Sequence, residues 1–71
     1  MKKVKDFNDI DIRDSEEGTK LLFPDNTKYL ITYKSTDKIN SYSLIQIQLQ
    51  RILKNGKMGN SGAWLKFRTH L

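Results

Sequence analysis

Trp64, Lys66, Arg68 and His70 occupy every second position of residues 63–71, and Leu65, Phe67, Thr69 and Leu71 alternate with them. Alternate residues of an extended strand share a face, so an indole stands beside two cations that are about 6.6–7 Å apart. That spacing suits successive phosphates of a nucleic-acid backbone. Bases of any identity stack on aromatic side chains while Lys and Arg meet the phosphates, which is one way a sheet holds a single strand. Burial preference pulls against this reading, because Trp is usually mostly buried. On balance the indole is expected in the core, covering a sheet edge or partner interface, with Lys66 and Arg68 in solvent.

A second group of polar residues lies at 46–57. With a helix over residues 42–54, Tyr42, Ile45, Leu49, Ile52 and Leu53 gather within an arc of about 100°, Ser41 or Ser43 caps the start, and Asn55-Gly56 ends it. Gln46, Gln50 and Lys54 then face outward with Arg51 and Ile47. Gln can bond adenine edges and Arg guanine edges, so this face suits a major groove, although such residues are equally ordinary on a solvated helix. The rival reading is a strand, since Ile45-Gln46-Ile47-Gln48-Leu49-Gln50 alternates over six residues and Asn55-Gly56 makes a tight turn. Arg51-Ile52 breaks the alternation and Met58-Gly59-Asn60-Ser61-Gly62 makes a poor strand, so the helix is preferred. Lys57, inside Gly56-Lys57-Met58-Gly59, completes the basic set. Those four residues spell the Gly-x-x-Gly of KH-domain clamps, but the following residues do not read as the helix such a clamp requires.

Catalysis and metal binding have little to work with. There is no cysteine and one histidine, His70, so neither a thiolate nucleophile nor a His pair exists, and no enzyme activity or cofactor is expected. Asp9 and Asp11 would share a strand face, but the Gly and terminal Glu of a calcium loop are missing at the needed spacing, so they are read as a solvated face.

These candidates need elements to hold them. Phe7, Ile10 and Ile12 alternate with acids and read as a short strand; Leu21-Leu22-Phe23 reads as a second. Pro24-Asp25-Asn26-Thr27 is a turn, after which Lys28 to Lys34 returns antiparallel, and Ser35-Thr36-Asp37 ends that strand. Adding helix 42–54 and the last strand predicts a small α+β domain of order β-β-β-α-β, an antiparallel sheet of three to four strands packed on one amphipathic helix. Seventy-one residues accommodate a single domain, 1–71. A core this small, without disulfide or metal, invites a homodimer or protein partner.

Charge gives the functional lead. Residues 1–37 carry seven Lys/Arg against eight Asp/Glu, a net −1, whereas residues 38–71 carry six against none, a net +6. A stretch without carboxylates cannot neutralise its own field, which favours an anionic partner. The expected function is an accessory nucleic-acid-binding protein, DNA or RNA, that uses Arg51, Lys54, Lys57, Lys66, Arg68, Trp64, Gln46 and Gln50. The alternative is a non-enzymatic interaction or inhibitor protein, as in small proteins of mobile elements. No membrane partner is expected, because the apolar runs Leu21-Leu22-Phe23 and Tyr29-Leu30-Ile31 fall far short of the ~20 residues of a span. The basic Met1-Lys2-Lys3 start and the lack of cysteine suit the cytoplasm.

Overall fold

A computed structural model of the chain describes residues 1–70; Leu71 and the side chain of His70, which sequence assigned to opposite faces of the last strand, lie outside the described residues. One five-stranded sheet runs in chain order: β1 (Lys2–Lys3), β2 (Lys20–Leu22), β3 (Lys28–Ile39), β4 (Tyr42–Ile52) and β5 (Met58–His70). β1 is parallel to β2, and every other pair is antiparallel. The α+β expectation is thereby overturned: among the described residues the only helical element is a 3-10 turn, Phe7–Asp9.

The largest correction falls on residues 42–54, which form β4 rather than a helix. The five apolar residues of the supposed helical arc are split up. Ile45 and Leu49 point to one face of the sheet, Tyr42 and Ile52 to the other, and Leu53 is 41% exposed beyond the strand end. The period-2 run of β-branched Ile prevails because it lets Ile47 and Leu49 bury completely in the middle of the sheet. Both features that argued against a strand become one irregularity. Gln50 pairs with Gly62 and Ile52 with Met58, so Gly59, Asn60 and Ser61 bulge opposite Arg51 alone. The Gln50 amide donates to the Gly59 carbonyl at 2.9 Å across this bulge. At Gly62 a Cβ would lie 2.7 Å from the Leu49 carbonyl oxygen, so the close approach of the two backbones requires glycine there.

Two turns at the same end of the sheet share one geometry. Phe23 N–H bonds Thr27 O at 2.9 Å and Asn26 N–H bonds Phe23 O at 3.0 Å; Leu53 N–H bonds Lys57 O at 2.8 Å and Gly56 N–H bonds Leu53 O at 2.9 Å. Asp25 and Asn55 each accept the N–H two residues on, at 2.9 and 3.0 Å. Asn26 and Gly56 take the left-handed conformation, with φ of 68° and 82°, which suits Asn and Gly. The 23–27 turn thus forms where sequence puts it. Asn55-Gly56 closes a hairpin instead of capping a helix. At the opposite end Asn40 (φ 53°) and Ser41 join β3 to β4, and Ser35-Thr36-Asp37, expected to end the strand, pair along β4.

The segment before β2 is not a strand at Phe7–Ile12. Asp6 caps the 3-10 turn by accepting from Asp9 N–H at 3.0 Å, and the chain then crosses one face of the sheet. Val4 and Ile10 from this segment bury with Leu21, Ile31, Ile47 and Leu49, and Ile12, Phe23, Tyr29 and Leu65 pack around them. Phe7, Phe23 and Tyr29 stack their rings at centroid distances of 5.0–5.6 Å. Lys34 ties segment to sheet: its Nζ donates to the carbonyls of Arg13 (3.1 Å) and Ser15 (2.6 Å), and its N–H to Glu17 Oε1 (2.9 Å).

Candidate nucleic-acid interface

Directly paired residues share a face, so the register of β3, β4 and β5 defines what the uncovered side presents. Its rows are Leu30–Gln50–Gly62, Tyr33–Gln48–Trp64, Ser35–Gln46–Lys66 and Asp37–Leu44–Arg68, ending at Ile39–Tyr42. No described segment crosses this side. The molecule measures 44 × 21 × 16 Å, and the three long strands make this face an elongated platform.

At its middle, Tyr33 and Trp64 lean across Gln48 until their rings meet edge-on at 6.0 Å. They remain 45% and 54% exposed, so the expectation of a core Trp64 is corrected. The reason is local: Ala63, Leu65, Phe67 and Thr69 already give β5 its inward side, and no described segment covers the other. Lys66 follows Trp64 on the same side. Arg68 lays its guanidinium 5.5 Å from the Tyr42 ring centroid, which holds a flat cation over an aromatic face. Among the described residues the one ion pair is Arg13–Asp11, and none of them gives Lys66 or Arg68 a carboxylate partner.

Trp64, Lys66, Arg68, Gln46 and Gln50 therefore come together on one face. Arg51, Lys54 and Lys57 do not join them: Arg51 lies opposite Tyr29 on the other side, and Lys54 and Lys57 belong to the 53–57 turn. Gln50 is held by its bond to Gly59, and Thr32 Oγ1 sits 3.5 Å from Gln48 Oε1. Gln46 is the central amide without such a tie among the described residues. Sequence reasoning missed Tyr33 and Tyr42. Tyr42 has the parity of Gln46 and Gln50, a signal that the helical reading hid. Tyr33 has the parity of the inward Ile31, and only the register shift between them turns it outward.

Most of the acids sit elsewhere; Asp37, in the Arg68 row, is the exception on this face. Six of the eight, Asp6, Asp9, Asp11, Asp14, Glu16 and Glu17, belong to the segment over the opposite side of the sheet. Several are spent on backbone: Asp9 accepts from Lys5 N–H at 3.0 Å and Asp11 from Arg13 N–H at 3.1 Å. Among the described residues no three His, Asp or Glu side chains converge on a metal-sized site. The Thr27 hydroxyl, then its N–H, with the Arg51 charge a smaller contributor, hold the Asp25 carboxyl below the ordinary carboxylate value. No helix among the described residues is long and apolar enough to cross a membrane. The chain matches no protein-family model, no curated protein and no solved structure.

Proposed function

We propose that the protein is a non-enzymatic accessory module that binds single-stranded nucleic acid on the uncovered face of β3–β4–β5. The observation that carries this reading is the exposed Tyr33–Trp64 pair flanked by Lys66 and Arg68. Bases stack on the rings, the two cations meet phosphates, and Gln46 offers an amide to a base edge. The separation of charge adds direction. An acidic segment backs the sheet and a nearly acid-free face fronts it, so a polyanion approaching from the front meets attraction and from the back repulsion. A flat platform also suits splayed bases better than a duplex, whose grooves call for a protruding element.

The test is a titration of the protein with single-stranded DNA, RNA and duplex DNA of matched length at two salt concentrations, followed through Trp64 fluorescence. Single strands should quench the indole and bind more tightly than duplex, with affinity falling as salt rises. Titrations that leave the indole unchanged with all three would overturn the reading.

One observation favours a protein partner instead. The outer edge of β5, 13 residues long, pairs with no described strand, and such an edge accepts an added strand. A second copy pairing there antiparallel about Phe67 would set Lys66 opposite Arg68, cation against cation, so in that register the edge suits an acidic extended segment better than itself. Binding of an acidic peptide, with amide shifts confined to β5 and no response to oligonucleotides, would favour that reading.

A further inference from the structure

The two matching turns, 23–27 and 53–57, stand side by side at the end of the sheet away from Asn40, and between them opens a cleft of about 710 Å³. That volume is within the range of small-molecule sites. Leu22, Ile52 and Leu53 give it apolar walls, and Lys28, Arg51 and Lys54 bring three cations to it. Arg51 and Lys54, which have no place on the stacking face, line it instead, and the register brings Arg51 to it from the covered side of the sheet and Lys28 from the uncovered side. The one carboxylate in the lining is Asp25, and its Oδ1 is occupied by the Thr27 N–H. Three cations against one carboxylate leave an excess of two positive charges.

We propose that this cleft binds a phosphate monoester carried on an apolar or planar body. Charge decides between phosphate types. A monoester near neutral pH carries about −1.5 to −2 and matches the excess, whereas a backbone diester carries one charge and leaves the cleft half-neutralised. Arg51 supplies the planar fork that grips two phosphate oxygens, and Lys54 and Lys28 act as point charges beside it. The apolar walls take the attached sugar or ring. The monoester has two possible sources, a free mononucleotide or the phosphorylated end of a strand; the second rests on the nucleic-acid reading above. Lys28 and Ile52 share a row of the uncovered face, and Ile52 lies four residues along β4 from the Tyr33–Trp64 row. That is about 13 Å, so an end seated in the cleft leads onto the stacking pair.

The test uses adenosine monophosphate, adenosine, and thymidine hexamers bearing a 5′-phosphate, a 3′-phosphate or hydroxyl ends, with amide NMR shifts and direct titration as readouts. The monophosphate should shift the amides of Leu53, Lys54 and Gly56, inorganic phosphate should shift the same amides at higher concentration, and adenosine should not. If a strand end is the source, one phosphorylated hexamer should bind roughly tenfold more tightly than the hydroxyl hexamer, and Arg51→Gln with Lys54→Gln should bring that ratio to about one. If the monophosphate binds and the three hexamers are equivalent, the site stands and its ligand is a free mononucleotide. If the monophosphate binds while no hexamer perturbs Trp64, the cleft stands and the single-strand reading falls. No shift with the monophosphate and equal affinity for all hexamers would overturn the cleft while leaving the stacking face intact.

Discussion

Trp64 shows how one side chain separates packing from recognition. More than half of its surface is in solvent and its one aromatic neighbour among the described residues is Tyr33, so Trp64→Ala should lower folding stability only slightly. The same substitution should remove roughly 1–3 kcal/mol of single-strand affinity, the usual worth of a stacked base. Chemical denaturation and oligonucleotide titration of the same variant measure the two effects, and dissolved iodide should quench the wild-type indole strongly. A loss of stability near the ~3–5 kcal/mol of a buried aromatic would show the ring to be core. Asp25 gives a second expectation at this scale. Thr27 favours its charged form, so its folded pKa is depressed. What it contributes to the turn is present above the unfolded value and is lost as pH falls through the folded one. A carboxyl NMR titration should place its midpoint below that of an unstructured peptide, and Asp25→Asn should remove the acid-side response of the turn amides.

The elements answer to pairing more than to local pattern. Leu49 is fully buried in β4, between β3 and β5, beside Ile31 and Ile47, so Leu49→Ala should cost roughly 2–5 kcal/mol in denaturant unfolding. That figure would be the same for a core helix, whereas Gln50 discriminates. On a helix exterior Gln50→Ala would be near neutral. In the sheet the Gln50 amide holds the Gly59 carbonyl across the bulge, and its loss should cost about 0.5–1.5 kcal/mol. The hairpin of β2 and β3 was legible because Pro24-Asp25-Asn26-Thr27 is a self-contained signal. Helix or strand at 42–54 was not, because Tyr42, Ile45, Leu49, Ile52 and Leu53 fit a helical period while Ile45, Ile47 and Leu49 fit a strand's, and only a partner strand decides between them. β5 is that partner, and its glycine-rich start disguised it.

At the scale of the whole molecule the charges sort by side. Lys66 and Arg68 lie on the uncovered face, and the register places Lys20 and Lys28 on the same side. With three or four phosphate contacts, log K against log[salt] for single strands should slope at roughly −2 to −3, about −0.7 per contact. Reversing charges among Asp6, Asp9 and Asp14, which back the sheet, should change affinity little. A flat salt dependence, or a large loss on those reversals, would place the partner elsewhere.

Sequence alone determined several features: the uneven charge, the turn at 24–27, the alternation that sets Trp64, Lys66 and Arg68 on one side of the last strand, and the lack of cysteine chemistry. Each is carried by residue identity or by neighbours a few positions apart, where local geometry suffices. Tertiary structure alone decided that Ile47 and Leu49 fill the middle of a sheet and that the segment with Ile10 and Ile12 covers just one side of it. It also decided that a one-residue register shift turns Tyr33 out to meet Trp64. These depend on pairing between strands far apart in the chain, and a period-2 pattern changes face whenever one residue is added to the count.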